Sequence, residues 1–423
     1  MDFGIIELDD DVLAFWNDEV RPFFDEYLAD DVLERERREG NGIIPELQRA
    51  LGARGWLAPA ATATAANEPG GVGIDALRSA IVDAEEGLRA GPLLPAKGSH
   101  NLVVAVIRAF GSDELKATVL PKATRGEVSC CLGYTEPDCG SDAAAVTTRA
   151  VRDGDEWVIT GQKMFTTGAQ LAGYVMATAR TNTAAPQHQG ITMFLVATDL
   201  PGVEIQGIGT LGGERTNFVY LDGVRVPDTH RLGPVDQGWQ VASGALATEH
   251  GLDAEHGGLP HDEGADADAD ASAAESAAHA RAALGRFGPG WTNELGVMLA
   301  AAVEWARTST RPDGSHPIDD PLVRLRLAQV ALDAEIGSVT PPPYERIIVS
   351  DLFIRDAADL IDMTGPYGVL PRGEDGAAAD GAIEHAHRFA QGTSIYGGTT
   401  DIQRNLIAEH FLGLPRHRGA IRR

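Results

Sequence analysis

The feature that most constrains the fold is a change in hydrophobic period that occurs twice along the chain. Residues 1–127 place apolar side chains three or four positions apart among charged ones, which is typical of amphipathic helices. Residues 128–233 contain short segments rich in β-branched and aromatic residues, separated by turn residues and spaced as in a β-sandwich or barrel. From residue 234 the helical period returns.

This order predicts an α+β multidomain protein with a helical domain over residues 1–127, a β-barrel or sandwich domain over 128–233 and a second helical domain over 234–423. The 423 residues agree with about three domains. Because strands do not alternate with helices, a Rossmann sheet is disfavoured. We expect the acidic, low-complexity stretch near 253–276 to be a flexible, solvated insertion in the last domain.

The charge restricts the partners of this chain. With 62 acidic and 35 basic residues, the net charge is −27, which argues against nucleic acid and anionic membranes because both require a basic face. No apolar stretch reaches the length of a transmembrane helix, and the acidic start lacks the features of a signal peptide. Three cysteines without a CxxC spacing indicate a reduced protein. We therefore predict a cytoplasmic location.

Two apparent ligand motifs do not indicate a binding site. Gly207, Gly209 and Gly212 spell GxGxxG, but a strand-like segment follows where a dinucleotide site needs a helix, so a β-turn is expected. His256 and His261 lie in the acidic low-complexity stretch, which offers no fixed geometry for a metal. No metal site is predicted.

Three motifs carry the functional signal. Residues 131–142 (CLGYTEPDCGSD) run from a strand into a glycine turn, where backbone N–H groups and hydroxyls suit an anionic or carbonyl-rich ligand. Alone, this segment is equally consistent with a well-capped loop. It is followed by GQKMFTTGAQ at 161–170 and by SIYGGTTDIQRNLIAEHFLGLPR at 394–416.

In this order the three motifs resemble the acyl-CoA dehydrogenase family, and the resemblance covers nearly the whole chain. It implies a C-terminal four-helix bundle and an FAD bound between that bundle and the β domain, with help from a neighbouring subunit. It further implies an acyl-CoA substrate, a trans-2-enoyl-CoA product and a place in lipid metabolism, through β-oxidation. An electron-transfer flavoprotein would accept the electrons, and the chain would form a homo-oligomer, either a dimer or a homotetramer.

The resemblance also implies which residues contact FAD. In the family the matching positions include a serine near the pyrophosphate, here Ser141, and an aromatic residue beside the flavin, here Phe165, which could equally be a core aromatic. Thr167 matches a threonine near flavin N5, and Gly365 meets the FAD of the partner subunit. The full predicted set is Leu132, Tyr134, Thr135, Gly140, Ser141, Phe165, Thr167, Gly365, Thr399 and Asp401.

The reaction requires a base, because the α-proton of a thioester is weakly acidic and the flavin takes only the hydride at N5. Many family members carry this Glu directly before Gly-Thr in the C-terminal loop, where this chain has Gly397. A second family arrangement places the Glu on the first helix of the C-terminal domain, and Glu249 matches that position. We therefore predict Glu249 as the base. The Gly397 N–H can still donate to the thioester carbonyl, together with a flavin ribityl hydroxyl.

The sequence departs from the family in two further ways, and the change at Gly397 has a consequence for the substrate. His250 stands where Arg usually follows the helical Glu, and the missing side chain at Gly397 suggests space for branched or ring-bearing acyl groups. An Arg-x-x-Phe-Gly segment that reaches the partner's FAD is absent, although Arg307 and Arg311 lie nearby. Two alternatives therefore stay open. One is a catalytically idle partner subunit of a mixed tetramer, and the other is a flavin oxidase on the same fold.

Overall fold

The computed structural model describes residues 9–57, 76–249, 291–340 and 344–415. The chain divides into two compact units, and among the described residues those up to Glu249 form one unit and those from Trp291 the other. The predicted insertion near 253–276 lies outside the described residues, and so do its His256 and His261. His250, which stands where the family usually has Arg, also lies outside them.

The first unit begins with the predicted helices. Ser112 is the N-cap of the helix Asp113–Thr118, since its Oγ accepts a hydrogen bond from the Leu115 N–H at 3.2 Å. The helices are α1 (Asp10–Ala14), which continues through a π-helical Phe15–Val20 into α2 (Arg21–Tyr27), α3 (Asp30–Glu39), α4 (Pro45–Ala53), α5 (Ala76–Ala90), α6 (Ala96–Phe110), α7 (Asp113–Thr118) and α8 (Leu120–Thr124).

An eight-stranded sheet follows in the order β6-β7-β3-β2-β4-β5-β8, with β1 paired in parallel to β4. Strands β6 and β7 form an antiparallel hairpin in which Gly207 and Gly209 belong to β6, so only Gly212 of the GxGxxG segment lies in the predicted turn, where the Gly213 N–H donates to the Thr210 carbonyl at 3.2 Å. The strands are β1 (Cys130–Gly133), β2 (Arg149–Asp153), β3 (Glu156–Lys163), β4 (Tyr174–Arg180), β5 (Ile191–Ala197), β6 (Val203–Gly209), β7 (Arg215–Pro227) and β8 (Arg231–Leu232).

Both faces of the central strands are buried, which explains why β4 and β5 lack a clear polar alternation. Met176 and Met193 pack into a core shared with α6, whereas Phe194 packs on the opposite face with Trp157. The next helix, α9 (Gly238–Glu249), joins the first of these cores through Val241 and its neighbours. All three cysteines are free and buried.

The second unit contains the predicted four-helix bundle. Its helices are α10 (Trp291–Thr308), α11 (Pro321–Val339), α12 (Tyr344–Thr364) and α13 (Ala382–Thr393), and α14 (Thr400–Leu406) follows. Helix α13 was not predicted from the sequence. Only Ile383 and Phe389 are large apolar residues on its buried face, and a Gly- and Ala-rich run precedes it. Among the described helices, none is long and apolar enough to cross a membrane.

Candidate functional site

Strand β1 is fixed by a buried histidine. The Cys130 N–H donates to His100 Nδ1 at 3.2 Å, and His100 Nε2 lies 3.1 Å from the Ala123 carbonyl oxygen. These two contacts require a neutral ring that carries its proton on Nε2. The side chain is fully buried, and this burial lowers the pKa of His100 to about 4.

A pH-dependent stability follows from this pKa. Because the unfolded chain protonates His100 near its ordinary pKa of ~6.5, the stabilisation is complete above that pH and is lost as the pH falls to about 4. We expect wild type to lose about 3 kcal/mol more than a His100→Asn variant between pH 7 and pH 4, measured by urea unfolding. Parallel pH profiles for the two proteins would contradict this role.

The turn after β1 is held by a buried ion pair that the sequence analysis did not single out. Lys163 Nζ donates to Glu136 Oε1 at 2.7 Å, and both side chains are at most 3% exposed. The Thr147 N–H and hydroxyl also donate to Glu136, each at 2.7 Å. Burial by itself would raise the pKa of Glu136, but the Lys163 charge and these donors outweigh it and lower the pKa to about 2. Glu136 lies in the motif at 131–142 and Lys163 in the motif at 161–170. Their presence in these motifs was the one signal in the sequence that pointed to them.

Phe165 lies directly after β3 in a left-handed backbone conformation with φ 56°. Such a conformation is unfavourable for a bulky side chain and persists only where the neighbours impose it. Here the Thr166 N–H donates to the Asn217 carbonyl at 3.0 Å, and Asn217 Nδ2 donates to the Thr166 carbonyl at 2.9 Å. Phe165 is 55% exposed, so the burial expected for it, whether beside the flavin or in the core, is not observed.

The segment around Phe165 adjoins the β1 turn. The Met164 N–H donates to the Thr135 carbonyl at 2.9 Å, and the Thr167 hydroxyl donates to the Thr216 hydroxyl at 3.3 Å. Leu132, Tyr134 and Thr135 are half-buried, while Gly140 and Ser141 are exposed. A Cβ at Gly140 would meet no atom within 4 Å, which leaves its backbone open to a ligand. One exposed aromatic ring, several hydroxyls and an open glycine turn fit an FAD molecule.

The second unit carries the Gly397 loop. Gly397 and Gly398 have φ of 63° and 83°, and Arg346 on α12 donates through Nη2 to the Tyr396 carbonyl. A Cβ at Gly397 would lie 2.8 Å from that nitrogen. The Arg346 guanidinium therefore occupies part of the space that was predicted beside Gly397.

The remaining predicted FAD contacts of this unit lie on exposed or open backbone. Thr399 is the N-cap of α14, where its side chain accepts from the Ile402 N–H at 3.2 Å. The Asp401 side chain is 88% exposed and accepts from Arg404 at 3.1 Å. Gly365 follows α12 with φ 62°, and a Cβ there would meet nothing within 4 Å. These features also fit FAD, with hydroxyl, carboxylate and open backbone groups.

The predicted base is the last residue of α9. Ala242 and Ala245, seven and four positions before it, are buried, so the helical register places position 249 in line with a buried face. The Glu249 side chain itself lies outside the described residues. Arg311, near the expected Arg-x-x-Phe-Gly segment, donates to Asp320 at 3.2 Å.

Three family models match the chain in order. They are the acyl-CoA dehydrogenase N-terminal domain over residues 14–127, the middle domain over 131–224 and the C-terminal domain over 345–412. The acyl-CoA dehydrogenase IpdE1 of Mycobacterium tuberculosis is 30% identical over 341 residues, which cover 76% of this chain and 77% of IpdE1. The chain belongs to the acyl-CoA dehydrogenase family. As an acyl-CoA dehydrogenase it is an FAD-dependent oxidoreductase of lipid metabolism.

Solved structures of the same family share the fold over almost the full length. The ChsE4–ChsE5 complex from Mycobacterium tuberculosis aligns with a TM-score of 0.76 at 27% identity and covers 97% of this chain and 99% of the matched chain. The steroid acyl-CoA dehydrogenase Tcur3481–Tcur3483 aligns with a TM-score of 0.72 at 27% identity, over 97% and 99%. This acyl-CoA dehydrogenase therefore has the predicted α+β fold of a helical domain, a β domain and a helical bundle.

Proposed function

We propose that this acyl-CoA dehydrogenase uses Glu249 to remove the α-proton of an acyl-CoA thioester and releases a trans-2-enoyl-CoA. The observation that carries the proposal is the Gly397 loop, which has no carboxylate and packs against the Arg346 guanidinium. The base must therefore come from elsewhere, and Glu249, the last residue of α9, matches the position of the Glu in the second family arrangement. FAD, when bound, accepts the hydride that leaves Cβ.

The other proposed roles belong to residues at the two loops. The Gly397 N–H donates to the thioester carbonyl oxygen and stabilises the negative charge that develops there as the proton leaves. Phe165 and Thr167, held by the Asn217 and Thr216 contacts, position the flavin ring. We propose that Gly140, Ser141, Thr399 and Asp401 contact FAD and that Gly365 contacts the FAD of a partner subunit.

We propose branched or ring-bearing acyl groups as the substrate class. The support is the similarity to a steroid acyl-CoA dehydrogenase at 27% identity over nearly the whole chain. An electron-transfer flavoprotein is the proposed electron acceptor, and the three free, buried cysteines agree with a cytoplasmic location.

One experiment tests the reaction against its alternatives. The purified protein is scanned for flavin absorbance and then mixed without oxygen with straight, branched and steroid-side-chain acyl-CoAs. We expect bound flavin, which is bleached most rapidly by the bulky thioesters. Bleaching by straight chains alone would overturn the substrate class. A lone chain without flavin would favour the idle partner subunit, and rapid peroxide formation in air would favour an oxidase.

We further propose that the chain forms a homo-oligomer through α11. Its solvent side carries an apolar stripe at alternating spacings of three and four, interrupted only by Gln329. The basic Arg324 and the acidic Glu335 are exposed towards opposite ends of this helix, so antiparallel pairing with a second copy brings opposite charges together. The exposed apolar residues of the stripe are Leu322, Leu325, Leu332, Ile336 and Val339.

A double substitution tests this interface. Leu325→Glu with Leu332→Glu places like charges across the antiparallel stripe, so we expect the oligomer to dissociate into smaller species in light-scattering measurements of mass. Val151→Glu, at a residue 45% exposed on β2, is the matched control and is expected to leave the mass unchanged. An unchanged mass in the double variant would exclude this face. A chain that is monomeric in wild type and assembles only with a second, different subunit would favour the mixed tetramer.

A further inference from the structure

Arg346 contacts the one peptide group to which the proposed function assigns the oxyanion. Its Nη2 donates to the Tyr396 carbonyl oxygen. That carbonyl and the Gly397 N–H belong to the same planar amide, in which the nitrogen lone pair is delocalised onto the oxygen. The guanidinium therefore lies at one end of the amide whose other end we propose as the donor to the thioester carbonyl.

The position of Arg346 is fixed by its surroundings in the second unit. Its guanidinium carbon lies 5.7 Å from the centroid of the Trp291 ring, a cation–π arrangement. The Trp291 ring in turn packs edge-to-face on Tyr396, with their centroids 5.5 Å apart. Beside Arg346, the buried Glu345 accepts from the Thr292 hydroxyl at 2.8 Å and links α12 to α10. The Arg346 guanidinium, the Trp291 ring and Tyr396 are thus in mutual contact within the second unit.

The backbone of the loop explains why glycine is needed beside this cation. Gly397 adopts φ 63°, a region that L-residues rarely adopt, and a Cβ would lie 2.8 Å from Arg346 Nη2. Any side chain at position 397 would therefore displace either the loop or the guanidinium. Glycine permits the direct contact between the cation and the peptide.

We infer that Arg346 polarises the Tyr396–Gly397 peptide and so strengthens the Gly397 N–H as a donor to the thioester carbonyl. A cation at an amide oxygen favours the charge-separated form of the amide, which makes its N–H more positive. Hydrogen bonds in such a chain strengthen one another, by about 10–30% per bond. The gain is greatest when the thioester oxygen becomes negative, that is, in the transition state. Arg346 acts through the peptide and is thus a positioning residue.

This inference rests on the proposed function, but its main test does not need turnover. Arg346→Met and Arg346→Lys are purified with FAD, and each is saturated with an enoyl-CoA that carries ¹³C at the thioester carbonyl. The infrared carbonyl band is then compared with that of wild type. We expect the band to shift to lower frequency on binding to wild type, to shift less in Arg346→Met, and to be intermediate in Arg346→Lys, which keeps a charge. An equal shift in wild type and Arg346→Met would overturn the inference.

The rate of flavin reduction supplies a second readout. Removing a whole oxyanion donor slows catalysis by about 10²–10³-fold, so weakening one by removing its cation is expected to slow reduction by about tenfold. FAD content and the Kd for the enoyl-CoA should change by less than about twofold, because the loss is small for the neutral carbonyl of the bound enoyl-CoA and largest in the transition state. Arg388→Met, at an arginine paired with Glu384 on α13, is the matched control and should retain the wild-type rate. Reduction in Arg346→Met at the wild-type rate would also count against the inference.

The two hypotheses fail in different ways. A wild-type protein that no acyl-CoA reduces contradicts the proposed function, whatever the carbonyl band shows. A wild type that is reduced, with a carbonyl band insensitive to Arg346, contradicts the inference alone. Should Arg346→Met not fold, Arg346→Lys and Arg346→Gln carry the same comparison.

Discussion

Glu249→Gln is expected to lower the rate of anaerobic flavin reduction by about 10²–10⁴-fold, the contribution typical of a general base. Glutamine has nearly the same size and helix propensity as glutamate but cannot accept the α-proton. FAD content and acyl-CoA binding should therefore stay close to wild type. Stopped-flow absorbance of the flavin, with the most reactive thioester of the substrate panel, measures the effect.

The matched control is Glu304→Gln on α10, another glutamate within a long helix. It should reduce the flavin at the wild-type rate, and a similar loss in both variants would point to a general effect of charge removal. A Glu249→Gln protein that keeps its rate would exclude Glu249 as the base. In that case the α-proton acceptor would have to be sought on another element.

The double variant Glu249→Gln with Gly397→Glu addresses the alternative position of the base. We expect it to recover little activity, because the new side chain would start 2.8 Å from Arg346 Nη2 on a left-handed backbone. A carboxylate paired with a guanidinium has a lowered pKa and is a poor base at neutral pH. A double variant as fast as wild type would show that the loop tolerates a base at position 397.

Much of the fold could be predicted because its signals are local. The change of hydrophobic period, which spans only a few neighbouring residues at a time, predicted the order of helices and strands. By contrast, α13 was missed because two of its five buried residues are alanine and one is threonine, which leaves only Ile383 and Phe389 as large apolar side chains on that face. The exposure of Phe165 was also not predictable, since it depends on the Asn217 contacts, which come from β7.

In the candidate site, too, the local features could be predicted and the long-range contacts could not. The motifs identified the β1 turn and the Gly397 loop, since these residue types occur together within a few positions of the sequence. They did not show that Lys163 pairs with Glu136, 27 positions away, or that Arg346 reaches Tyr396 across 50 positions. Long-range pairing depends on how strands and helices pack, and the residue types alone do not specify it. Arg346 lies outside every motif, so only the structure could reveal its contact with the loop.

Lys163→Met is expected to destabilise the protein by about 3–5 kcal/mol, because it leaves the Glu136 carboxylate buried without its cation. Urea unfolding of the variant measures the loss. FAD should bind more weakly as well, since Glu136 and Lys163 connect the β1 turn to the strand that leads into Phe165. The matched control is Arg225, which pairs on the same sheet with Glu156 and Asp153 in solvent, and Arg225→Met should change the free energy of unfolding far less than Lys163→Met does.

The double variant Glu136→Gln with Lys163→Met separates the ion pair from simple packing. It removes both charges, so we expect it to be more stable than Lys163→Met alone. The pH dependence gives the same distinction. In wild type the pKa of Glu136 is lowered to about 2, so its stabilisation is present above ~4.5 and is lost as the pH falls towards 2. In Lys163→Met the Glu136 carboxylate is buried without a cation, which raises its pKa. Protonation of Glu136 therefore stabilises the folded variant. The difference between the two proteins should therefore shrink from pH 7 to pH 4, and a constant difference would mean that Lys163 stabilises the fold by packing alone.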